Sequence, residues 1–323
     1  MSEALLEIRG LKTHFACDDG MIQAVDDVDL RVQSGETVCL VGESGCGKTV
    51  TALSVLKLIA MPPARIVQGQ ILWRGSDLVK VDVGGMSRLR GKEIAMVFQE
   101  PMTALNPVYT VGEQIAEGIR LHEGISNREA FDKTIEMLRL VHIPNPEKRI
   151  HDYPHQFSGG MRQRVMIAMA LSGNPKLLIA DEPTTALDVT VQAQVLDLLQ
   201  EMKSRFGMAI LLITHAMGVV AEMAQRVVVM YAGKVVEEAT VEQLFENPLH
   251  PYTQGLIRSI PRLNRAGAQK VKLSAIPGSV PSLLKPPEGC RFAPRCQFAT
   301  DVCRSVVPAL RERAEGHKVA CVL

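Results

Sequence analysis

The feature that most constrains this 323-residue chain is a glycine-rich loop near its beginning. The run Gly42–Thr49 reads GESGCGKT and fits the phosphate-loop pattern G-x-x-x-x-G-K-[ST] in full. It follows a continuous apolar run, Thr37–Val41, which is typical of a strand buried on both faces, and it precedes a helical pattern over 50–59. Glycines let successive backbone N–H groups point at phosphate oxygens, and the helix N-terminus adds its positive dipole end. The sequence therefore predicts that the chain binds a nucleoside triphosphate.

Individual residues of this loop have predicted roles. Lys48 is expected to reach the β- and γ-phosphates, and the Thr49 hydroxyl is expected to ligate Mg²⁺. Cys46 has two interpretations. Its thiol lies beside a lysine at a helix N-terminus, where pKa values fall, so oxidation could block ATP binding; alternatively, any small residue fits this position. The other residues predicted to bind the phosphates are Gly42, Ser44, Gly45 and Gly47.

Two adjacent acids follow a second buried run, Leu177–Ala180. Asp181 is predicted to hold Mg²⁺, directly or through water, and Glu182 to polarise the water that attacks the γ-phosphate. Gln99 and His215 each follow a further apolar run. Because strand ends of an open α/β sheet form its ligand edge, we expect Gln99 to touch Mg²⁺ or the water and His215 to contact the γ-phosphate.

The order of patterns along the chain predicts an α/β protein. Short alternating runs in the first 40 residues indicate strands of an antiparallel sheet, and later buried runs that alternate with helices indicate a parallel sheet. Residues from about 108 to 171 have a helical pattern without a buried strand, which predicts an inserted helical subdomain. After about residue 260 proline and glycine become frequent and periodicity fades. We therefore predict one domain over 1–260 and a small extension over 261–323.

A second motif opens a helical run at Ser158, Gly159, Gly160 and Met161, and its Ser-Gly-Gly part is another phosphate cradle. One phosphate loop already serves this chain's nucleotide, so the second cradle suggests a site for a partner's ATP. Here the sequence resembles the ABC (ATP-binding cassette) ATPases, whose signature motif reads Leu-Ser-Gly-Gly-Gln. In that family two cassettes enclose two ATP molecules, each between the phosphate loop of one and the signature of the other. Phe157 and Met161 replace the usual Leu and Gln, outside the Ser-Gly-Gly cradle.

The resemblance implies roles for further residues. Phe15 matches the aromatic residue that stacks on adenine, Gln99 the Q-loop that couples to the membrane subunits, and His215 the switch histidine. Asp188 ends the Ala-Leu-Asp run that resembles the D-loop. Ala216 stands where Asp is usual, which puts in doubt only a local hydrogen bond near the switch. Since the catalytic positions are intact, the resemblance implies an active ATPase.

The resemblance covers residues 4 to 260 and implies a P-loop NTPase cassette: a mixed-sheet core, an antiparallel β subdomain and an inserted helical subdomain, here with a small Cys-rich C-terminal appendage. Two runs, Tyr153–Gln156 and Asn247–Thr253, resemble the dipeptide/oligopeptide and nickel importer branch. That branch implies ATP and Mg²⁺ as cofactors, a paralogous ATPase as heterodimer partner, two transmembrane permease subunits and, indirectly, an extracytoplasmic solute-binding protein. The expected function is ATP hydrolysis that powers import of di- or oligopeptides. The alternatives are import of nickel or another small solute, export, and a non-transport ABC ATPase.

Charge and composition narrow the class of protein. Lys and Arg total 36 against 35 Asp and Glu, and aromatic residues make up only 4%, so neither phosphate neutralisation nor base stacking predicts a nucleic-acid partner. The sequence shows no secretory signal and no apolar stretch long enough to span a bilayer. We therefore expect a peripheral protein, held at the cytoplasmic face of the cell's inner membrane by partner subunits. Exporters are commonly fused to membrane helices, and DNA-repair members carry a long coiled coil, so import is favoured.

Four of the seven cysteines lie in the C-terminal tail with the spacing C-x5-C-x6-C-x17-C. Zinc sites usually rest on short C-x2–4-C pairs, and the tail has none. Four thiolates also suit a [4Fe–4S] cluster, and importers with a similar tail carry one. We therefore predict a [4Fe–4S] cluster, with zinc and free thiols as alternatives. The predicted ligands are Cys290, Cys296, Cys303 and Cys321.

Overall fold

The computed structural model of the chain describes residues 4–260 and 275–323. The strands are β1 (Leu6–Cys17), β2 (Gly20–Val32), β3 (Thr37–Val41), β4 (Ala64–Trp73), β5 (Ser76–Asp77), β6 (Ile94–Val97), β7 (Leu177–Asp181), β8 (Ala209–Thr214), β9 (Arg226–Tyr231), β10 (Lys234–Thr240), β11 (Arg311–Ala314) and β12 (His317–Val319). The α-helices are α1 (Lys48–Val55), α2 (Val83–Leu89), α3 (Pro101–Ala104), α4 (Val111–Glu123), α5 (Asn127–Leu140), α6 (Pro146–Arg149), α7 (Gly159–Leu171), α8 (Val189–Phe206), α9 (Met217–Met223), α10 (Val241–Glu246), α11 (Pro251–Arg258) and α12 (Asp301–Ser305). Short 3-10 turns cover Leu78–Lys80, Pro154–Gln156 and Ala293–Arg295.

The described residues fall into two compact units. Unit 1 consists of residues 4–5, 32–36 and 80–212, and unit 2 of residues 6–31, 37–79, 213–260 and 275–323. The phosphate loop and the C-terminal tail therefore belong to unit 2. The paired acids and the signature belong to unit 1.

Unit 2 contains an antiparallel sheet with the strand order β2-β1-β4-β5. The β1 and β4 strands run antiparallel from the pair Leu6 and Trp73 to the pair Phe15 and Ala64. Buried and exposed residues alternate along the second half of β2, as expected for a strand with one face in the core. The N-terminal strands are thus antiparallel, as the alternating pattern predicts.

A second set of strands in unit 2 supports the phosphate loop. The β3 strand runs parallel to β9, and all five of its residues are buried. The β9, β10 and β12 strands follow in antiparallel pairs. Since β12 pairs with β10 at Val319 and Glu237, and the Ala320 N–H donates to the Val236 carbonyl at 2.8 Å, the tail extends this sheet.

Unit 1 contains two parallel strands, β6 and β7, which are buried along their whole length. Four α-helices, α4 to α7, lie within the stretch 108–171. Capping boxes fix the starts of two of them: Thr110 with Glu113 begins α4, and Ser126 with Glu129 begins α5. Each local start signal is thus present in the sequence itself.

Helix α8 is longer than the helical pattern in the sequence indicates. Periodicity indicates a helix over 191–202, whereas the structure places it at Val189–Phe206. It begins earlier because the Asp188 side chain accepts a hydrogen bond from the Val191 N–H, and it ends at Gly207, which has a φ of 60°. None of the helices in residues 4–260 and 275–323 has both the length and the apolarity needed to cross a membrane.

Candidate functional site

The phosphate loop packs tightly against the backbone of its own unit. Gly47 is the N-cap of α1 and has a φ of 103°, a conformation that favours glycine. A Cβ added at Gly47 would approach the Ala24 carbonyl oxygen inside the 3.0 Å limit of real contacts, and one at Gly42 would do the same to the Met230 carbonyl oxygen. The path of the loop therefore depends on glycine at both positions.

The Lys48 side chain is held inside the loop and is 5% exposed. Its Nζ donates to the Gly42 carbonyl at 2.8 Å and to the Glu43 carbonyl at 3.0 Å. The loop thus wraps around a positive charge beside the helix N-terminus. This arrangement suits a polyanion such as a triphosphate.

The other loop residues divide into exposed and buried positions. Ser44, Gly45 and Thr49 are exposed, whereas Cys46 is only 1% exposed. Burial raises the pKa of the Cys46 thiol, against the opposing effect of the Lys48 charge. This direction is the reverse of the one expected from a helix N-terminus alone, and it favours the small-residue interpretation over the oxidation hypothesis.

Sequence reasoning did not identify the two residues outside the loop that hydrogen-bond to Glu43. The Glu43 N–H donates to the Tyr252 hydroxyl at 2.8 Å, and the Arg295 guanidinium donates to both oxygens of the Glu43 carboxylate. Tyr252 lies in the Asn247–Thr253 run, which we interpreted only as a family marker. Arg295 directly precedes a tail cysteine, and no motif in the sequence links it to the phosphate loop.

In unit 1 the predicted acids occupy the end of a fully buried strand. Asp181 is the last residue of β7 and is 2% exposed. Glu182 follows with a φ of 46°, which is uncommon for a residue with a side chain and costs of order 1 kcal/mol or more. Such strained residues cluster at functional sites, because the surrounding structure must hold them there.

The structure brings Gln99 and Glu182 together. The Gln99 Nε2 donates to the Glu182 carboxylate at 3.3 Å, since β6 and β7 are parallel neighbours and end side by side. The Thr185 hydroxyl donates to the same carboxylate oxygen at 2.9 Å. Thr185 was not predicted, although its position three residues after the acid was the available signal. Together the two donors orient the carboxylate.

The signature residues begin α7. Ser158 is its N-cap, and the Ser158 Oγ accepts from the Met161 N–H at 3.4 Å. Gly159 and Gly160 are the first two helical residues, and a Cβ at Gly160 would come inside 3.0 Å of a Val191 methyl group. The two glycines therefore add no side chains at the N-terminus of this 13-residue helix, where the Ser158 hydroxyl caps the Met161 N–H.

Three further predicted residues lie at the start of α8, directly after β8 and within β1. Asp188 caps α8, as described above. His215 is exposed directly after β8, and the next residue, Ala216, is the N-cap of α9 without a side-chain hydrogen bond. Phe15 lies half-buried in β1, opposite Ala64. Their assignment to ATP binding or catalysis remains a prediction.

Family models match most of the chain in two pieces. Residues 25–185 match the ABC transporter family, and residues 236–303 match the oligopeptide/dipeptide transporter C-terminal region. The chain is 52% identical over 320 residues to a probable peptide ABC transporter ATP-binding protein, y4tR, of Sinorhizobium fredii, with 99% of this chain and 95% of that protein covered. It is 51% identical over 319 residues to the oligopeptide transport ATP-binding protein AppD of Bacillus subtilis, covering 99% and 96%.

The chain belongs to the ABC transporter ATP-binding proteins. It is an ATPase, and its fold is the P-loop NTPase cassette with mixed α/β sheets. A solved structure of the ATP-binding cassette MJ0796, dimeric and bound to ADP and Pi in a post-hydrolysis state, matches with a TM-score of 0.66 and 25% identity. The match covers 73% of this chain and 98% of that one.

The prediction of an iron–sulfur cluster in this ABC ATPase is wrong. Across 4–260 and 275–323, no group of three or more His, Cys, Asp or Glu side chains is positioned to hold a metal ion. This finding also excludes the zinc alternative for the described residues. The matching family models describe a transporter ATPase and a transporter C-terminal region, and neither is described as an iron–sulfur protein.

The tail cysteines are free thiols. Cys290, Cys296, Cys303 and Cys321 line one small pocket of unit 2, which they share with apolar side chains such as Phe292. Burial raises the pKa of Cys290 and of Cys296, which opposes the thiolate form that metal binding requires. The Cys303 Sγ is instead hydrogen-bonded to the Thr300 hydroxyl at 3.4 Å, which lowers its pKa. Sharing a pocket does not make these thiols a ligand set.

Proposed function

We propose that this ATPase powers the import of di- or oligopeptides. The observation that carries the proposal is the match of residues 236–303 to the oligopeptide/dipeptide transporter C-terminal region. It is joined by relatives named as a putative peptide import ATP-binding protein and as an oligopeptide transport ATP-binding protein. Nickel import and non-transport functions are not proposed, because no observation favours them.

The phosphate loop and β1 bind the nucleotide in this proposal. Phe15 stacks on the adenine, and Lys48 carries the positive charge for the β- and γ-phosphates. The remaining contacts come from the loop backbone and from side chains at its exposed positions. These residues are Gly42, Ser44, Gly45, Cys46, Gly47 and Thr49.

The residues proposed to hold Mg²⁺ offer the oxygen donors that this ion prefers. They are the Asp181 carboxylate, the Thr49 hydroxyl and the Gln99 amide oxygen. Asp181 is the best fitted of them, since it supplies an anionic oxygen ligand at the end of β7. When bound, the ion would neutralise charge on the phosphates.

Glu182 is proposed to orient and deprotonate the attacking water. The donors Gln99 and Thr185 fix its carboxylate, and its strained backbone fixes the direction in which the side chain leaves the strand. His215 is proposed to contact the γ-phosphate from the end of β8. These are the roles that a general base and a charge-stabilising group require.

The signature is proposed to bind a partner's ATP. Ser158, Gly159, Gly160 and Met161 present the N-terminus of α7, a site suited to phosphate, and Asp188 belongs to the same interface. The partner would be a paralogous ATPase subunit, so that the dimer is a heterodimer. The pair would act on two transmembrane permease subunits at the cytoplasmic face of the inner membrane and would be served by an extracytoplasmic solute-binding protein.

The domain division is also proposed rather than observed. It assigns residues 1–260 to the nucleotide-binding domain, with a helical subdomain at about 108–171, and residues 261–323 to a Cys-rich C-terminal extension. The boundary falls beside residues 261–274, which lie outside the described residues. The 73% coverage by a solved cassette supports an extension, because about a quarter of this chain lies outside that match.

The test of this function is uptake of a labelled tripeptide by cells that depend on this chain. We expect Glu182→Gln to reduce both uptake and ATP hydrolysis by about a hundredfold or more, because the general base is lost. ATP binding by the purified variant should remain. Glu246→Gln, the same substitution at an exposed position on α10, is the matched control and should behave as wild type. Normal hydrolysis by Glu182→Gln would refute the assignment of the base, and peptide uptake independent of the chain would refute the transport function.

The shared site is tested with Ser158→Arg. The large side chain should block phosphate binding at the N-terminus of α7 and abolish hydrolysis of the partner's ATP, whereas Ser204→Arg on the exposed face of α8 should not. The measurement is hydrolysis by a mixed dimer in which only the partner's phosphate loop is intact. Full activity in that dimer would contradict the proposal.

A further inference from the structure

Glu43, inside the phosphate loop, is held from both sides. Its carbonyl accepts from the Lys48 Nζ within the loop at 3.0 Å. Its N–H donates to the fully buried Tyr252 hydroxyl at 2.8 Å. Its carboxylate accepts two bonds from the Arg295 guanidinium, at 2.6 Å from Nη1 and 3.1 Å from Nη2. One loop residue is thus joined to α11 and to the C-terminal tail.

The Arg295 side chain is fixed in place before it reaches Glu43. It is 4% exposed, and its Nε donates to the Pro277 carbonyl at 2.8 Å. Its Nη2 donates to the Ile276 carbonyl at 3.3 Å, and its Nη1 to the Tyr231 hydroxyl at 3.3 Å. The bond to the Glu43 carboxylate raises the pKa of Arg295, whose guanidinium is already protonated in proteins. A buried arginine with this many partners forms a rigid support.

The segment that carries Arg295, residues 290–297, is itself anchored to unit 2. Arg291 donates to the Asp26 carboxylate at 2.6 Å and also to the Ala232 carbonyl. The Phe292 ring packs edge-on against Tyr231, the last residue of β9, with ring centroids 5.1 Å apart. The Gly233 N–H, two residues after Tyr231, donates to the Cys46 carbonyl of the loop at 2.9 Å. The tail segment and the loop thus share one framework.

We infer that Arg295 is a positioning residue for the phosphate loop, through which the C-terminal segment 290–297 sets the affinity for nucleotide. The inference rests on the proposed role of Gly42–Thr49 in binding the phosphates. Two physical effects carry it. First, the bidentate hydrogen bond from Arg295 fixes Glu43, whose carbonyl orients Lys48. Second, Arg295 neutralises the charge of the Glu43 carboxylate in a loop that must accept a polyanion. Without Arg295 the carboxylate charge would oppose the phosphates.

The test is nucleotide binding by the full-length chain, measured with fluorescent ATP and ADP analogues. We expect Arg295→Gln to raise both dissociation constants about tenfold, as typical for loss of one partner of a charged hydrogen bond. Arg304→Gln is the matched control, since Arg304 is a tail arginine whose side chain is 69% exposed, and its constants should equal those of wild type. Unchanged constants in Arg295→Gln would overturn the inference.

A second variant separates positioning from general destabilisation. Glu43→Gln combined with Arg295→Gln removes both charges, so we expect the double variant to bind within about threefold of wild type. A merely structural role predicts no such recovery, and a double variant as weak as or weaker than Arg295→Gln would refute the electrostatic explanation. Lys48→Ala tests the underlying site: if it bound nucleotide normally, the phosphate-loop assignment would fail, whatever Arg295 does.

Reciprocity provides a test that needs no substitution at Arg295. If the segment sets nucleotide affinity, nucleotide must stabilise the segment by the same free energy. Hydrogen exchange of peptides covering 290–297 should therefore slow on addition of ADP in wild type and not in Lys48→Ala. If hydrogen exchange of these peptides in wild type were the same with and without ADP, the inference would be overturned. This outcome can be read even if Arg295→Gln fails to fold.

Discussion

Replacing Gly47 by Ala tests whether the shape of the phosphate loop is set by backbone packing. Gly47 has a φ of 103°, and a Cβ there would enter the 3.0 Å exclusion distance of the Ala24 carbonyl oxygen. Gly45, in the same loop, has a φ of 77°, yet its Cβ would meet nothing within 4 Å. The two glycines share a positive φ, which is unfavourable for alanine, and they differ in the clash that an added Cβ would make.

The expected losses follow from these two geometries. A Cβ in the left-handed region costs about 1–2 kcal/mol at either position. At Gly47 the loop must also shift away from a carbonyl, and such overpacking costs about 1–3 kcal/mol more. The gain from restricting the unfolded chain is the same for both substitutions, so it cancels in their comparison. Gly47→Ala should therefore lose about 1–3 kcal/mol more free energy of unfolding than Gly45→Ala.

The assay is urea unfolding of the nucleotide-free protein, followed by tryptophan fluorescence. The single tryptophan, Trp73, is buried in β4 of unit 2, the unit that holds the loop. Gly35→Ala, with a φ of 71° and open space around its Cβ, reports strain alone outside the loop. Equal losses in Gly45→Ala and Gly47→Ala would refute the packing explanation.

Two further substitutions test local features of unit 2. Burial lowers the pKa of His250 to about 4. As the pH falls below about 6.5, the histidine is therefore protonated in the unfolded state before it is protonated in the folded state. The free energy of unfolding consequently decreases, by at most about 3 kcal/mol at pH 4. His250→Asn keeps an acceptor for the Tyr252 N–H and should flatten this acid limb in unfolding measured from pH 7 to 4; an unchanged slope would exclude His250 as its cause. Ala216→Asp should give α9 the side-chain cap that it lacks and raise the protein's free energy of unfolding by about 1 kcal/mol. The measurement is the unfolding midpoint, which should rise; a lower midpoint would show that the cap does not form.

Much of the nucleotide site could be predicted from the sequence because its signals are local. The phosphate loop needs glycines and a lysine within eight residues between a buried strand and a helix, and each of those patterns is contained in a short run. The meeting of Gln99 and Glu182 was also predictable, since both follow buried strands, and parallel strands end at one edge of the sheet. The backbone strain at Glu182 could not be predicted, because the residue type at that position does not indicate it.

The tail shows what the sequence alone does not determine. Four tail cysteines and the family resemblance predicted a metal cluster, yet the folded thiols share a pocket without forming a ligand set, since a sequence does not give the direction of each side chain. Only the tertiary structure joined Glu43 to Tyr252, 209 residues away, and to Arg295, 252 residues away. Local sequence determined where the phosphate loop forms. The burial and charge pairing around that loop come from distant residues, which have no shared pattern in the sequence and meet only when the sheet of unit 2 brings them together.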